Sequence, residues 1–476
     1  MVNFHSTISR RDFMKGLGLA GTGVGATTLI KPNFHDLDEV ASSDKGVIKY
    51  PWYVKDREFG NPTVEIDWNK LKRRDRTGEV DRTAMLAAGG KTWDQFYDGM
   101  EVFAKQRWPQ YKGATTRDWA LLQTCMRTWD ATKTAKYDVP RPEDNWGPSD
   151  FHTIAKPPMP KWEGTPEENM RTVTAALRFM GWSSIRVSEV NDVTQRFVVD
   201  TNSSGTKFVF DDSAESYTAD KVTHIPNKYK WCLDVAMLED SELMLRGPAV
   251  VARASFPQGY TRATFAMTWQ MQGFIRGLGY GYAAPSDYST PIGIFNGTGE
   301  HCRMGQICLS PTFGAYVRLH TRIYTDLPLI PTPPIDAGIT KFCETCGICA
   351  TQCPYGAIPQ GASSWESNCG ENWDDDRDFG GSRTMWNQPG YKGWRVDFRK
   401  CGGMCISCKA ACPFNTTNQS FIHSAVKASI SNAPVFNSFF ATMEEFIHFG
   451  KTDKDPDSWW DQAGTSYGIN PAFLRK

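Results

Sequence analysis

No stretch of 18 apolar residues occurs in this chain, and a helix needs about 20 to cross a bilayer. Any membrane attachment therefore has to run through a partner. Net charge is missing too. The 53 basic residues meet 53 acidic ones, which leaves no electrostatic footprint for nucleic acid or anionic lipid, so nucleic acid is not an expected partner. No G-x-G-x-x-G joins an expected strand to a helix and no G-x-x-x-x-G-K-[ST] occurs, so dinucleotides and nucleoside triphosphates lack their phosphate cradle. The nearest approach, the glycines at 277, 279 and 281, reads as a turn. Aromatics, by contrast, are plentiful, with 17 Trp, 16 Tyr and 27 Phe. Flat apolar walls of this kind suit a large planar cofactor or an apolar ligand, and equally a tryptophan-rich core.

The cysteines are organised. Cys343, Cys346, Cys349 and Cys353-Pro354 form C-x2-C-x2-C-x3-C-P, and Cys401, Cys405, Cys408 and Cys412-Pro413 nearly repeat it. In this spacing three thiolates hold one [4Fe-4S] cubane and the fourth ligates the other. Cys343, Cys346, Cys349 and Cys412 are thus assigned to one cluster, and Cys401, Cys405, Cys408 and Cys353 to its partner. The second motif opens with one extra residue in Gly402-Gly403-Met404, which a glycine-rich loop absorbs. Disulfide pairing would explain neither the order nor its near repeat. Cys125, Cys232, Cys302, Cys308 and Cys369 fit no ligand spacing and read mostly as small buried side chains. Cys369, between the motifs, is kept as an alternative ligand.

Ser9-Arg10-Arg11-Asp12-Phe13-Met14-Lys15 precedes fifteen uncharged residues, 16–30. This is a twin-arginine export signal with an apolar run too short to anchor. A clean A-x-A site is missing, so the cleavage point stays open, with Val40-Ala41-Ser42 as the candidate region, and the route carries proteins already folded around their cofactors.

The organisation expected is a signal peptide (1–42), an irregular Trp- and Pro-rich unit (43–150) with helical promise at 92–105 and 116–132, an α+β core (151–335), a two-cluster unit (336–430) and a tail that folds back on the core (431–476). Thr165-Pro166-Glu167-Glu168 marks a helix start, and the helix is predicted to reach Met180. A strand is predicted at 182–187, a hairpin pair at 196–199 and 207–210, and further helices at 261–277 and 417–430. A cluster unit alone takes only part of 476 residues, so other chemistry occupies the rest.

The leader, Phe274-Ile275-Arg276-Gly277-Leu278-Gly279-Tyr280, Gly297-Thr298-Gly299-Glu300, Val317-Arg318-Leu319, Thr325-Asp326-Leu327-Pro328-Leu329 and the paired cluster motifs together resemble a respiratory corrinoid/iron–sulfur reductive dehalogenase. The family usually has Gly-Leu-Gly-Glu where this chain has Gly297-Thr298-Gly299-Glu300, a departure that touches loop packing. The resemblance implies a nitroreductase-like α+β core holding a base-off, cobalamin-type corrinoid, joined to a bacterial two-[4Fe-4S] ferredoxin-like domain. It implies two-electron replacement of a carbon-bound halogen by hydrogen with halide release, as the terminal reductase of organohalide respiration. The D-x-H-x-x-G signature of a cobalt-ligating histidine is absent, since His301 has Gly299 where the Asp should stand.

By the same resemblance a tyrosine gives the proton and a basic side chain stabilises the phenolate. A free tyrosine titrates near about pH 10, so an adjacent guanidinium eases proton loss. Tyr260 and Arg318 are the candidates, with Tyr280 and Arg322 as runners-up. The implied partners are a small organohalide substrate, a small integral-membrane anchor protein and upstream electron-donating respiratory proteins. The implied place is the outer face of the cytoplasmic membrane, with peripheral attachment. Two alternatives stand beside this reading. An enzyme similar to epoxyqueuosine reductase would work in the cytosol on transfer RNA, which the leader and the balanced charge oppose. An exported iron–sulfur electron-transfer subunit would leave the chain ahead of Cys343 unused.

Overall fold

The computed structural model describes residues 50–77, 86–87, 89–107, 160–265, 270–365, 388–401, 403–415, 421–432, 437 and 454–461. The leader, the expected helix at 116–132, Cys125, Cys369 and Gly402 lie outside the described residues.

In chain order the elements are β1 (Lys55–Asp56), α1 (Trp93–Arg107), α2 (Pro166–Phe179), β2 (Ser184–Glu189), β3 (Lys207–Asp211), β4 (Tyr217–Ala219), β5 (Val222–Pro226), β6 (Trp231–Leu238), α3 (Ser241–Met244), α4 (Val250–Arg253) and α5 (Ser255–Phe265). They continue as α6 (Gln272–Gly277), β7 (Tyr282–Ala283), α7 (Ser289–Phe295), β8 (Glu300–His301), β9 (Cys308–Leu309), β10 (Val317–Thr325), β11 (Ile335–Asp336), α8 (Ile339–Thr345), α9 (Ile348–Thr351), α10 (Ser407–Ala410) and α11 (Phe421–Asn432). None of the described helices is long and apolar enough to cross a membrane.

The principal sheet has the order β2-β6-β10-β7 and is antiparallel throughout. Alternation along β6 sends Leu233, Val235 and Met237 into a core with Met170, Val173 and Leu177 of α2, the spacing of one helix face. Cys232, from the other set of β6 positions, packs with Tyr324, Phe197 and Phe295 in a second core. The β6–β10 ladder shifts by one residue between Leu319 and Thr321. That bulge lies between Arg318 and Arg322, and bulges commonly occur beside functional sites. A smaller sheet, β3-β5-β4, pairs β3 with β5 in parallel and β4 with β5 antiparallel.

The start of α2 follows from its sequence. Thr165 Oγ1 accepts from the Glu168 N–H at 3.3 Å, and the Glu168 carboxylate accepts from the Thr165 N–H at 2.8 Å, a complete capping box with Pro166 in the first turn. Two expectations need correction. The hairpin of 196–199 with 207–210 does not form, because Thr194–Phe197 is a 3-10 turn and β3 pairs with β5. Asn191 Oδ1 accepts from the N–H groups of Val193 and Thr194, and the Thr194 hydroxyl donates to Glu189 O. These local bonds compete with a ladder and hold the turn. The helix expected from 261 instead begins at Ser255, with Pro257 tolerated in its first turn, which puts Tyr260 well inside α5. The chain is described again at 270, and α6 ends at Gly277, before the left-handed Gly279. Helix α11 begins at Phe421, and residues 416–420 are outside the description.

Described residues of the tail pack on α3 and its surroundings. Arg246 Nε donates to Asp455 O at 3.1 Å and its Nη2 donates to Ser458 Oγ at 3.0 Å. Trp459 and Trp460 lie against the core formed by Phe96, Met100, Val250 and Cys405.

Candidate functional site

Two of the sequence candidates meet in one wall. Arg318 of β10 is buried, and its guanidinium carbon lies 4.2 Å from the ring centre of Tyr260 and 4.5 Å from that of Phe256, one turn earlier on α5. A cation over two aromatic faces is held by the negative charge of each face. Arg318 Nε also donates to Glu239 Oε1 at 2.7 Å, and Nη2 donates to the same oxygen. Burial works against this charge, but Glu239 and the phenol of Tyr260 outweigh it and hold the guanidinium above its ordinary value. The second carboxylate oxygen of Glu239 accepts from Lys409 Nζ of α10.

Tyr260, Phe256 and Arg318 line a cavity of about 350 Å³, shared with Lys409, Arg322, Asp287, His301 and three cysteines, Cys401, Cys405 and Cys408. Aromatic and aliphatic side chains, among them Phe197, Phe295, Ile294, Tyr288 and Tyr391, form much of the rest. Arg322 stands in the same wall with Nε donating to Asp287 Oδ1 at 2.6 Å, while the Tyr324 hydroxyl donates to Asp287 Oδ2 at 3.1 Å. Tyr280 is placed elsewhere. Its hydroxyl donates to Trp162 O at 2.9 Å, Lys161 Nζ lies 3.9 Å above its ring, and it borders a separate cavity.

His301 also faces the cavity. Its ring stacks on Trp394 at 5.8 Å with planes 12° apart, and its Nε2 accepts the Trp394 N–H at 3.1 Å. Burial, helped by the nearby Arg395, pushes its pKa down to about 3. The imidazole is therefore neutral, with its proton on Nδ1 and the Nε2 lone pair already engaged.

The eight motif cysteines gather beside this cavity. Cys343, Cys346, Cys349 and Cys412 share one buried cluster, with Cys353, Cys401 and Cys408 against it, and Cys405 lies in the adjoining core. Burial pushes the thiols of Cys343, Cys349, Cys405, Cys408 and Cys412 upward, and neighbouring cysteines reinforce the shift. For Cys412 the neighbours include Cys343 and Cys346, and for Cys408 they are Cys405, Cys401 and Cys353. Cys349 feels Cys343, Cys412 and also Cys408. Two groups emerge, each with three cysteines of one motif and the last of the other, and they adjoin. None of the described cysteines is in a disulfide. No three His, Cys, Asp or Glu side chains among the described residues converge tightly enough for a single metal ion.

Residues outside the motifs position this assembly. Glu300, buried in β8, accepts from the N–H groups of Ala337 (2.6 Å), Ile339 (3.2 Å) and Thr340 (3.2 Å), which fixes the start of α8 and with it Cys343. Arg303 is buried and donates to the carbonyls of Cys343 (2.6 Å), Cys346 (2.7 Å) and Gly361 (2.6 Å) among others. Thr298, the departure in Gly297-Thr298-Gly299-Glu300, bonds through Oγ1 to Asn296 Oδ1 at 2.8 Å, inside the same loop. Cys302 is fully buried beside the first group, while Cys232 and Cys308 are buried in strands.

Sequence reasoning missed Glu239, Asp287 and Lys409. Lys409 carried a signal, since it follows Cys408 directly. Glu239 carried none, because it meets its partners across 79 and 170 residues.

No family model matches the chain. It is 31% identical over 539 residues to the chloroethene reductive dehalogenase of Dehalococcoides mccartyi strain VS, a match covering 99% of this chain and 100% of the relative. The trichloroethene reductive dehalogenase of Dehalococcoides mccartyi strain 195 is 28% identical over 96% of this chain and 97% of its own length. The tetrachloroethene reductive dehalogenase of Sulfurospirillum multivorans is 32% identical over 56% of this chain and 51% of its own. Among solved structures, a catabolic reductive dehalogenase superposes with a TM-score of 0.56 at 18% identity, covering 87% of this chain and 51% of that one. A second, from work on B12-dependent dehalogenation, gives a TM-score of 0.54 at 17% identity and covers 85% of this chain. The chain thus spans about half of each of these structures, and the likeness describes the fold.

Proposed function

The chain belongs to the reductive dehalogenases, enzymes that replace a carbon-bound halogen with hydrogen, and we propose that Tyr260 and Arg318 are its proton-delivering pair in a corrinoid site fed by two [4Fe-4S] clusters. The reaction consumes two electrons and one proton per carbon–halogen bond and releases halide. We read the core as nitroreductase-like and the cysteine-bearing region as ferredoxin-like.

The cysteine chemistry fits the clusters. Five of the eight motif thiols, Cys343, Cys349, Cys405, Cys408 and Cys412, are raised by burial, Cys343 to about 12; such thiols ionise only where positive charge lies between them, and iron would supply it. Four thiolates at the corners of a cubane also stand farther apart than ligands of one ion, consistent with the lack of a single-ion site among the described residues. The aromatic and aliphatic walls beside Tyr260 and Arg318 suit an apolar, planar group, and the cysteines Cys401, Cys405 and Cys408 also line the cavity. His301 supports the base-off reading, since its Nε2 is occupied by the Trp394 N–H. A bound corrinoid would supply strongly reducing electrons to the carbon–halogen bond, with the clusters relaying them singly.

The side chains do the rest. The apolar walls exclude water, which keeps the charge on Arg318 effective. The Tyr260 hydroxyl gives its proton to the carbon that loses halide, and Arg318 stabilises the phenolate left behind. The relatives named above act on chlorinated ethenes, and we propose a substrate of that class. The observation that carries this reading is the placement of Arg318 against Tyr260 in a cavity also bordered by cluster cysteines. Anaerobic protein loaded with iron and corrinoid, given a low-potential electron donor and a panel of chlorinated ethenes and chlorophenols, should release chloride with the ethenes. Release with chlorophenols alone would overturn the substrate class, and no release from fully loaded protein would overturn the site.

A further inference from the structure

Glu239 lies where four elements converge. It follows the last residue of β6, and its side chain is fully buried. One carboxylate oxygen takes both Arg318 contacts from β10, and the other takes the Lys409 ammonium from α10. The third neighbour is α5, where a Cβ at Gly259 would stand 3.0 Å from Glu239 Oε1, so the absence of a side chain at Gly259 lets the helix carrying Tyr260 pack directly against the carboxylate without displacing it. A buried carboxylate between two buried cations is held by complementary charge, and removing it leaves both cations unpaired.

Lys409 is the residue after Cys408, and its charge is felt at that thiol. One side chain thus touches both halves of the machinery. We propose that Glu239 is the positioning residue that fixes Arg318 against Tyr260 and, through Lys409, ties that pair to the loop carrying the second cluster. This rests on the reading of Tyr260 and Arg318 as the proton-delivering pair. Glu239 is not among the residues that line the cavity. It sets the angle at which Arg318 meets the phenol, and it balances the charge that Lys409 places beside the cluster.

The two functions move different observables. In Glu239→Gln, Arg318 keeps an acceptor but Lys409 meets an amide N–H or an uncharged oxygen. Iron and corrinoid content should stay at the level of the unmodified enzyme, and kcat should fall about 100-fold, the scale of a small misplacement at a reacting centre. KM should stay within about threefold, because substrate binding is not the interaction lost. Redox titration followed by electron paramagnetic resonance gives the second readout. Added positive charge favours the reduced cluster, so the midpoint potential of the cluster held by Cys401, Cys405 and Cys408 should rise in Glu239→Gln and fall in Lys409→Gln.

A Glu239→Gln enzyme with near-normal kcat, or a potential that fails to move in opposite directions in the two variants, overturns the proposal. Where Glu239→Gln does not yield loaded protein, Lys409→Gln decides. A lowered potential with lowered kcat supports the proposal, and an unchanged potential overturns it. Tyr260→Phe is assayed alongside. If it retains full turnover, the site reading itself fails. If it is inactive while Glu239→Gln is fully active, only the role of Glu239 fails.

Discussion

At the scale of single residues the structure makes demands that can be measured separately. Tyr260→Phe removes the hydroxyl and leaves the ring under Arg318, so the stack and the cofactors should persist while turnover falls roughly 100-fold or more, the scale of losing a general acid. Arg318→Lys should be less damaging than Arg318→Ala, because the charge survives while the planar fork that meets Glu239 is lost. A Tyr260→Phe enzyme with full cofactor content and near-normal dehalogenation would remove Tyr260 from the chemistry. His301 gives a pH test. Its folded pKa, about 3, lies below the value near 6.5 expected when unfolded, so the unfolded chain binds the extra proton. The stabilisation is complete above about pH 6.5 and is lost as pH falls toward 3, and about 2 kcal/mol of it is already lost at pH 5. Denaturant midpoints at pH 7 and pH 5 should therefore converge in His301→Gln relative to the unmodified protein. An equal acid loss in both would place the titrating group elsewhere.

Elements were legible wherever local chemistry decided them. The capping box at Thr165 and Glu168 fixed the start of α2, and the motif cysteines, regularly spaced in the sequence, lie close together in the fold. The helix expected from 261 begins at Ser255 instead, with Pro257 in its first turn, where a proline is tolerated. The hairpin at 196–199 was misread because a β-like pattern yielded to the bonds of Asn191 and Thr194. Nothing local marks Glu239 or Arg303, and Glu300 stood out only as the end of Gly297-Thr298-Gly299-Glu300 without a role; their partners lie tens of residues away and exist only once the sheet and cysteine loops are assembled. The grouping of Cys412 with Cys343, Cys346 and Cys349 makes an element-scale demand. Helix α8, held by Glu300, and the Cys412 segment after α10 should fail together. Cys412→Ala should abolish or convert the cluster of the first motif while the resonance of the other cluster persists. An intact spectrum from the cluster of Cys343, Cys346 and Cys349 would show that cross-ligation is wrong.

For the whole molecule, the order of events during maturation is at issue. The motif cysteines come from two segments about fifty residues apart in sequence, and Glu239 waits for β6, β10, α5 and α10 to meet. Such a site forms only in a folded chain, since cofactor binding and folding are coupled. A chain assembled this way and then exported would need a route that accepts folded cargo, and we read Arg10-Arg11 with Phe13 and Lys15 as a signal for one. We propose export by that route and peripheral attachment through a small integral-membrane partner, since no described helix can span. Replacing Arg10 and Arg11 together with Lys keeps the charge and changes only what the export receptor reads. The precursor should then accumulate in the cytoplasm with iron and corrinoid already bound, separable by fractionation and measurable by metal analysis. Mature protein still appearing outside the cytoplasmic membrane would refute the route, and a trapped precursor devoid of metal would refute assembly before export.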